Sequence, residues 1–356
     1  MISKYDDFLI HQTSDPIEVF SSTDPRAFDR FYFNLHDRSG EFVAAFGAGV
    51  YPNLDIMDAG IAAVHAGKQH NLRISRILEG ADRAETTVGP ISFEVLEGLK
   101  RWRMTLDRND YNIAFDLIFE ARADVFETPI HRIREGHYYH YDMSHYTQSG
   151  RCSGWLEIAG SRWEVTPDRF YSHRDRSWGV RDIARIGRTG RETGGIKRGL
   201  HIWAPIQFED RCVFVYYQED LDGKAAHLGG AVHYENGRRS APWVQIEHDI
   251  VVDPVTHIHR SGTLLLTDAD GVRMEIQTEQ LLPGIYLKGM GYDSHGVYKG
   301  DFDIAGESWE VDAGPDKMRE FGESADQLAR FSCNGEKGYG IFEHMVSRNH
   351  PRYRRG

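Results

Sequence analysis

Apolar and polar residues alternate along most of this chain in short runs, the period-two pattern of half-buried β-strands. The runs at 42–47, 60–65, 72–78, 91–96, 201–208 and 211–218 are rich in aromatic and β-branched residues and are separated by polar turns. Two hairpins are explicit. HIHRSGTLLLT and VRMEIQTEQ flank Asp268-Ala269-Asp270-Gly271 within 257–280, and 101–106 and 112–120 flank Arg108-Asn109-Asp110. Helical periodicity is nearly absent, with 315–330 the best candidate. Many strands at roughly 8–12-residue spacing predict an all-β protein built from sandwiches or barrels.

An internal repeat organises these strands. Residues 146–165, YTQSGRCSGWLEIAGSRWEV, lie over 292–311, YDSHGVYKGDFDIAGESWEV, without a gap and with nine of twenty positions identical. Chance would give roughly one or two. The first copy reads as a hairpin around Ala159-Gly160, and the second as a hairpin around Gly306. Two copies are too few for a solenoid and point to a duplicated domain. At 356 residues the chain also exceeds the usual size of one core. The expected units are 1–165 and 166–356.

Composition narrows the class. Apolar residues make up 40% and charged ones 27%, with no apolar run near 18 residues, so no membrane span is expected. The first residues carry no apolar block or cleavage site, and the three cysteines are scattered singly; both fit a cytoplasmic protein. A net charge of −12 disfavours nucleic acid as a partner. The basic end Arg352-Tyr353-Arg354-Arg355 reads as a solvated tail, and the Gly-rich stretch 187–199 as a mobile basic loop. Gly47-Ala48-Gly49 lacks the third glycine of a dinucleotide fingerprint and is followed by Pro52, so no cofactor is expected. His257 and His259 share one strand face, but the glutamate of a metal site is missing, and ordinary strand histidines are the favoured reading. No Gly-x-Ser-x-Gly elbow anchors a hydrolase triad.

The densest chemistry lies at 171–182, YSHRDRSWGVRD. In an extended strand Tyr171, His173, Asp175 and Ser177 face one way, and Arg174, Arg176 and Trp178 the other. At the same offset the second half has neither the histidine nor the tryptophan. Asp175 is the candidate acid or base, His173 its partner, and Arg176 or Arg181 the group that stabilises an anion. An arginine reaching Asp175 would lower its pKa and turn the site away from general-acid alkene chemistry. Tyr171, Trp178, Arg181, His201 and His145 are candidates for binding substrate.

DRSWGVRD after the Gly-x3-Gly-x5-Gly-x2-Trp hairpin resembles a segment of a bacterial family related to carotenoid 1,2-hydratases and other AttH-like, lipocalin-like proteins. His11-Gln12, Ser14-Asp15-Pro16, Tyr51-Pro52-Asn53 and Gly340-Ile341-Phe342-Glu343-His344 extend the resemblance over nearly the whole chain. It implies two tandem lipocalin-like (calycin) antiparallel β-barrels or strongly curved sheets, few short helices, and a site for a hydrophobic small molecule. In the hydratases the segment reads Tyr-His-Asp-His-Asn-x-Gly. Only Asp175 and the glycine match, because His173, Arg176 and Ser177 replace tyrosine, histidine and asparagine. Two functions follow. One is a cofactor-independent hydratase, dehydratase, isomerase or cyclase. The other is a non-catalytic carrier in which 173–182 is a structural salt-bridge network between domains.

Overall fold

The computed structural model describes residues 2, 4–7, 9–79, 85–182, 198–254, 258–291, 295–311, 325–347 and 349–353. The loop 187–197, His257, Tyr292 of the repeat and 315–324 of the helix candidate lie outside them. Within them the chain is almost all strand, arranged in two large antiparallel sheets. The first sheet runs Phe302–Glu310, Lys68–Ile77, Ile56–His65, Phe42–Tyr51, Ala27–His36, Tyr171–Arg181, Tyr138–Ile158, Ile113–Ala121, Arg101–Leu106, Ile91–Glu97 and Thr87–Val88. The second runs Ala225–Tyr234, Arg211–Asp220, Arg198–Gln207, Glu336–Val346, Ala325–Cys333, Arg273–Gln280, His259–Asp268 and Trp243–Val252. Its first and last strands approach each other, so this sheet nearly closes into a barrel.

Alternation feeds separate cores. In Phe42–Tyr51, Phe42, Ala44 and Phe46 enter the core of the first sheet, where they meet Phe33, Phe93 and Phe115. Val43 and Ala45 point the other way, to a core between the sheets with Trp203, Leu328 and Ile341. The second sheet encloses its own core around Ile202, Val215, Leu264 and Phe331. Strands covered on both faces lose the polar stripe that marks period two. That explains 325–330, where the apolar pattern suggests a helix and the structure has the strand Ala325–Cys333, paired with Glu336–Val346.

The repeat is conserved in sequence more than in shape. Tyr138–Ile158 and Ser161–Val165 form the expected hairpin around Ala159-Gly160, both at positive φ. In the second copy no turn forms at Gly306. Phe302–Glu310 is one strand, paired along its length with Lys68–Ile77. A Cβ on Gly306 would stand 2.3 Å from the Tyr111 ring, so close approach, not a turn, requires glycine there. Sheet membership also crosses the expected 165/166 division. Tyr171–Arg181 lies in the middle of the first sheet, and Phe302–Glu310 completes its edge.

The basic end is not a solvated tail as far as Tyr353; Arg354 and Arg355 lie outside the described residues. Tyr353 is buried, its hydroxyl 2.7 Å from His248 Nδ1, and Arg352 donates to the His248 carbonyl. His350 meets Glu219 at 2.6 Å, and Glu219 also takes His248 at 2.7 Å and the Tyr217 hydroxyl at 2.9 Å.

Where the sheets close on each other, His36 and His173 stack at 5.7 Å with no exposure. Burial lowers both, His36 to about 4. An unfolded histidine binds its proton near 6.5, so acid favours the unfolded chain from about pH 6.5 down to about 4. His36 alone should remove about 2–3 kcal/mol between pH 7 and 4.5. Urea midpoints at those two pH values check this, and equal midpoints would show that the pair is not held neutral.

Candidate functional site

Between the sheets the packing opens into a cavity of about 320 Å³. Glycine makes the room on its floor. Gly47 pairs with Tyr32 on one side and Gly60 on the other, and Gly49 pairs with Arg30 and Asp58. A Cβ on Gly60 would stand 1.8 Å from the Met290 carbonyl oxygen, and one on Gly47 2.4 Å from that of Phe31. The Gly47-Ala48-Gly49 run that makes no nucleotide fingerprint is therefore a cavity wall.

The same rows continue across the sheet. Asp175 pairs with Tyr32 and Thr147, and Ser177 pairs with Arg30 and His145. Alternation turns Asp175, Ser177 and Arg181 to the cavity. From the second sheet His201, Trp203, Tyr216, Gln218 and Glu343 cover it. Trp203 Nε1 donates to Thr147 Oγ1 across the gap at 2.9 Å, and the Tyr32 hydroxyl donates to Asp326.

Its carboxyls are held in different states. Burial raises Asp175, but His145 and the cations Arg30 and Arg181 outweigh it, leaving Asp175 below its usual value. His145 Nε2 stands 3.8 Å from Asp175 Oδ2. The Thr128 hydroxyl donates to the His145 carbonyl at 2.8 Å and lies 3.2 Å from His145 Nδ1, which fixes the ring with Nε2 toward Asp175. Glu343 behaves oppositely. Burial and the Asp175 charge push it up to about 7. Asp58 rises to about 6, burial outweighing the Gly296 N–H at 2.8 Å and the Arg30 charge. Asp326, fully buried beside Glu343, is raised well above its usual value.

Histidine supports the acid. Gln218 Nε2 donates to His201 Nδ1 at 3.2 Å, so His201 Nε2 carries the proton and donates to Glu343 Oε1 at 3.1 Å. Burial and the Arg198 charge keep His201 neutral. Glu343 also hydrogen-bonds the buried carboxyl of Asp326. Two groups with divergent proton affinities over one cavity can serve as acid and base.

The structure brings Asp175, Arg181, His201 and His145 together at this cavity. It takes the other sequence candidates elsewhere. His173 shares the face of Asp175, but at its level Gln207 of the second sheet reaches Ser172 and Gly150, and His173 is sealed against His36 and Ser149. Tyr171 lies one step further, under Arg151 and against Tyr339. Arg176 is on the opposite face, paired with Asp29. Trp178 is 42% exposed and edges Tyr146. Arg176 and Asp182, which binds Arg26 at 3.0 Å, tie neighbouring strands of the first sheet to each other and do not bridge the two sheets.

Glu343, Asp58, Arg30 and Arg198 escape sequence reasoning centred on 171–182. For Glu343 and Asp58 the signal is one acid inside a largely apolar run, as in GIFEHMV and IMDAGIAAV; Arg30, next to Asp29, and Arg198, at the start of its strand, carry no such signal. Among the described residues no group of three or more His, Cys, Asp or Glu is placed to hold a metal ion. No helix among them is long and apolar enough to cross a membrane.

A model described as a family of unknown function (DUF8625) matches residues 2–353. No curated protein matches the sequence. Among solved structures, a protein of Nitrosomonas europaea assigned to the AttH type superposes with a TM-score of 0.55 at 14% identity, over 90% of this chain and 92% of that one. Kievitone hydratase from Nectria haematococca gives 0.54 at 11%, over 92% and 93%. CghA with Sch210972 gives 0.53 at 11%, over 91% and 89%. The shared architecture is the AttH-like, tandem lipocalin-like fold.

Proposed function

The chain belongs to that family of unknown function, and from its cavity we propose an enzyme that moves protons on a small, unsaturated or aromatic molecule. Hydration, dehydration, isomerisation and cyclisation are the reactions in reach. The carrying observation is that Glu343 and Asp175 face one cavity whose burial and charges push their proton affinities in opposite directions. Glu343 is the acid and protonates an alkene carbon or a departing hydroxyl. Asp175 with His145 is the base and takes a proton from the adjacent carbon or from water. Arg30 and Arg181 stabilise an oxyanion that develops between them. In a hydration the proton on carbon comes from Glu343, hydroxide adds from water, and the water's second proton goes to the Asp175–His145 pair. Solvent exchange then resets both groups. Kievitone hydratase shares the fold, which supports this reading as analogy only.

The acid must be protonated, so kcat/KM should fall as pH rises through about 7. The limb set by Asp175 should lie below the ordinary carboxylate range. A pH–rate profile rising steadily through pH 8 would assign the acid elsewhere. Substrate class is tested in deuterium oxide with vinylphenols and simple enones, followed by mass spectrometry. Deuterium at carbon, lost in Asp175→Asn and in Glu343→Gln, is expected. Saturable binding without exchange or turnover would favour the carrier.

A further inference from the structure

The arginines of the cavity belong to two clusters. Arg30 and Arg181 act on Asp58 and Asp175, so their charges are compensated there. Arg198 belongs with His131, His227 and Tyr216. Among the described residues no carboxylate lies within ion-pair distance of it. Nε of Arg198 and Nε2 of both His131 and His227 are buried without a hydrogen-bond partner. His131 is only 5% exposed, and its ring centroid lies 4.7 Å from that of His227. Burial and the neighbouring Arg198 charge keep the two histidines neutral, so the guanidinium is the full charge of this lobe. Buried polar nitrogens ordinarily meet water or a ligand atom, and a half-buried guanidinium with its Nε buried and no carboxylate beside it suits an anion.

We propose that Arg198, His131 and His227 form an anion subsite, and that the substrate carries a carboxylate seated there while its reacting part lies at Glu343 and Asp175. This rests on the acid–base reading for the reacting part but not for the subsite itself. The planar guanidinium suits a carboxylate, which accepts two hydrogen bonds side by side. The histidines, with one ring nitrogen each to spare, hold its second oxygen.

The test is direct binding to the full chain by calorimetry. The probes are benzoate, cinnamate and naphthoate, each against its neutral amide. The carboxylates should bind about tenfold or more tighter than the amides. Arg198→Met should bring each pair to parity, Arg198→Lys should keep part of the preference, and Arg181→Met should leave it in place. Parity in the wild-type protein, or no carboxylate binding, overturns the subsite. So does a preference that survives Arg198→Met and disappears in Arg181→Met. Glu343→Gln should bind the carboxylates like wild type. No deuterium exchange in the wild-type protein, with its carboxylate preference intact, would instead overturn only the enzymatic reading.

Discussion

Replacement of Glu343 by glutamine will lower turnover by about two to four orders of magnitude, with the fold intact. Glutamine keeps the size of the side chain, and its carbonyl oxygen can accept the proton that His201 Nε2 gives to Oε1 at 3.1 Å. What it lacks is a transferable proton. Removal of the carboxyl also relieves the crowding of Glu343, Asp175 and Asp326, so the melting temperature should stay level or rise. The comparison needs kcat/KM and a thermal scan on the same preparation. A large fall in melting temperature would mean that Glu343 holds the sheets together, and any loss of rate would then carry no information about acid catalysis. His201→Phe should act more weakly and move the alkaline limb of the pH profile, because His201 positions the acid and reaches no substrate atom in the proposed reaction.

Deletion of everything after Ser347 should cost about 3–5 kcal/mol, far more than loss of a solvated end would. Glu219 is held to about 2, because His248, His350 and Tyr217 together outweigh the cost of its burial. Removing the tail takes His350 from one carboxylate oxygen and Tyr353 from His248 Nδ1. It leaves a buried charge partly unpaired and uncovers the apolar residues around Tyr353 in the second core. Urea unfolding measures the loss. Tyr353→Phe, which removes one hydroxyl, should cost about 1–2 kcal/mol. If both variants unfold with wild-type midpoints, the tail contributes nothing to the barrel.

Strand alternation in the sequence reaches far into this fold. It separates Asp175 and Ser177 from Arg174 and Arg176, because the period of a strand is exact enough to assign faces. It does not say how far along the strand a cavity extends, so His173 is placed beside Asp175 and proves to lie past the point where Gln207 seals the layers. Glu343 and Asp58 escape because each is a single acid in an apolar run, with its partners on strands distant in sequence. The Gly306 turn fails for a related reason: glycine marks both turns and close approaches, and only the Tyr111 ring on the other side distinguishes them. The basic tail misleads because its charges are exposed to view in the sequence while Tyr353 between them does the packing.

The edge strand Phe302–Glu310 ties the protein to its order of synthesis. Until residue 310 has left the ribosome, Lys68–Ile77 presents an unpaired row of backbone donors and acceptors, and the wall that carries Gly60 and Asp58 lacks its outer support. Glu343, on the penultimate segment to appear, arrives later still. The nascent chain therefore passes most of its translation with an open sheet edge and no assembled cavity, and a chain cut short before Phe302 keeps the edge open and never completes the cavity.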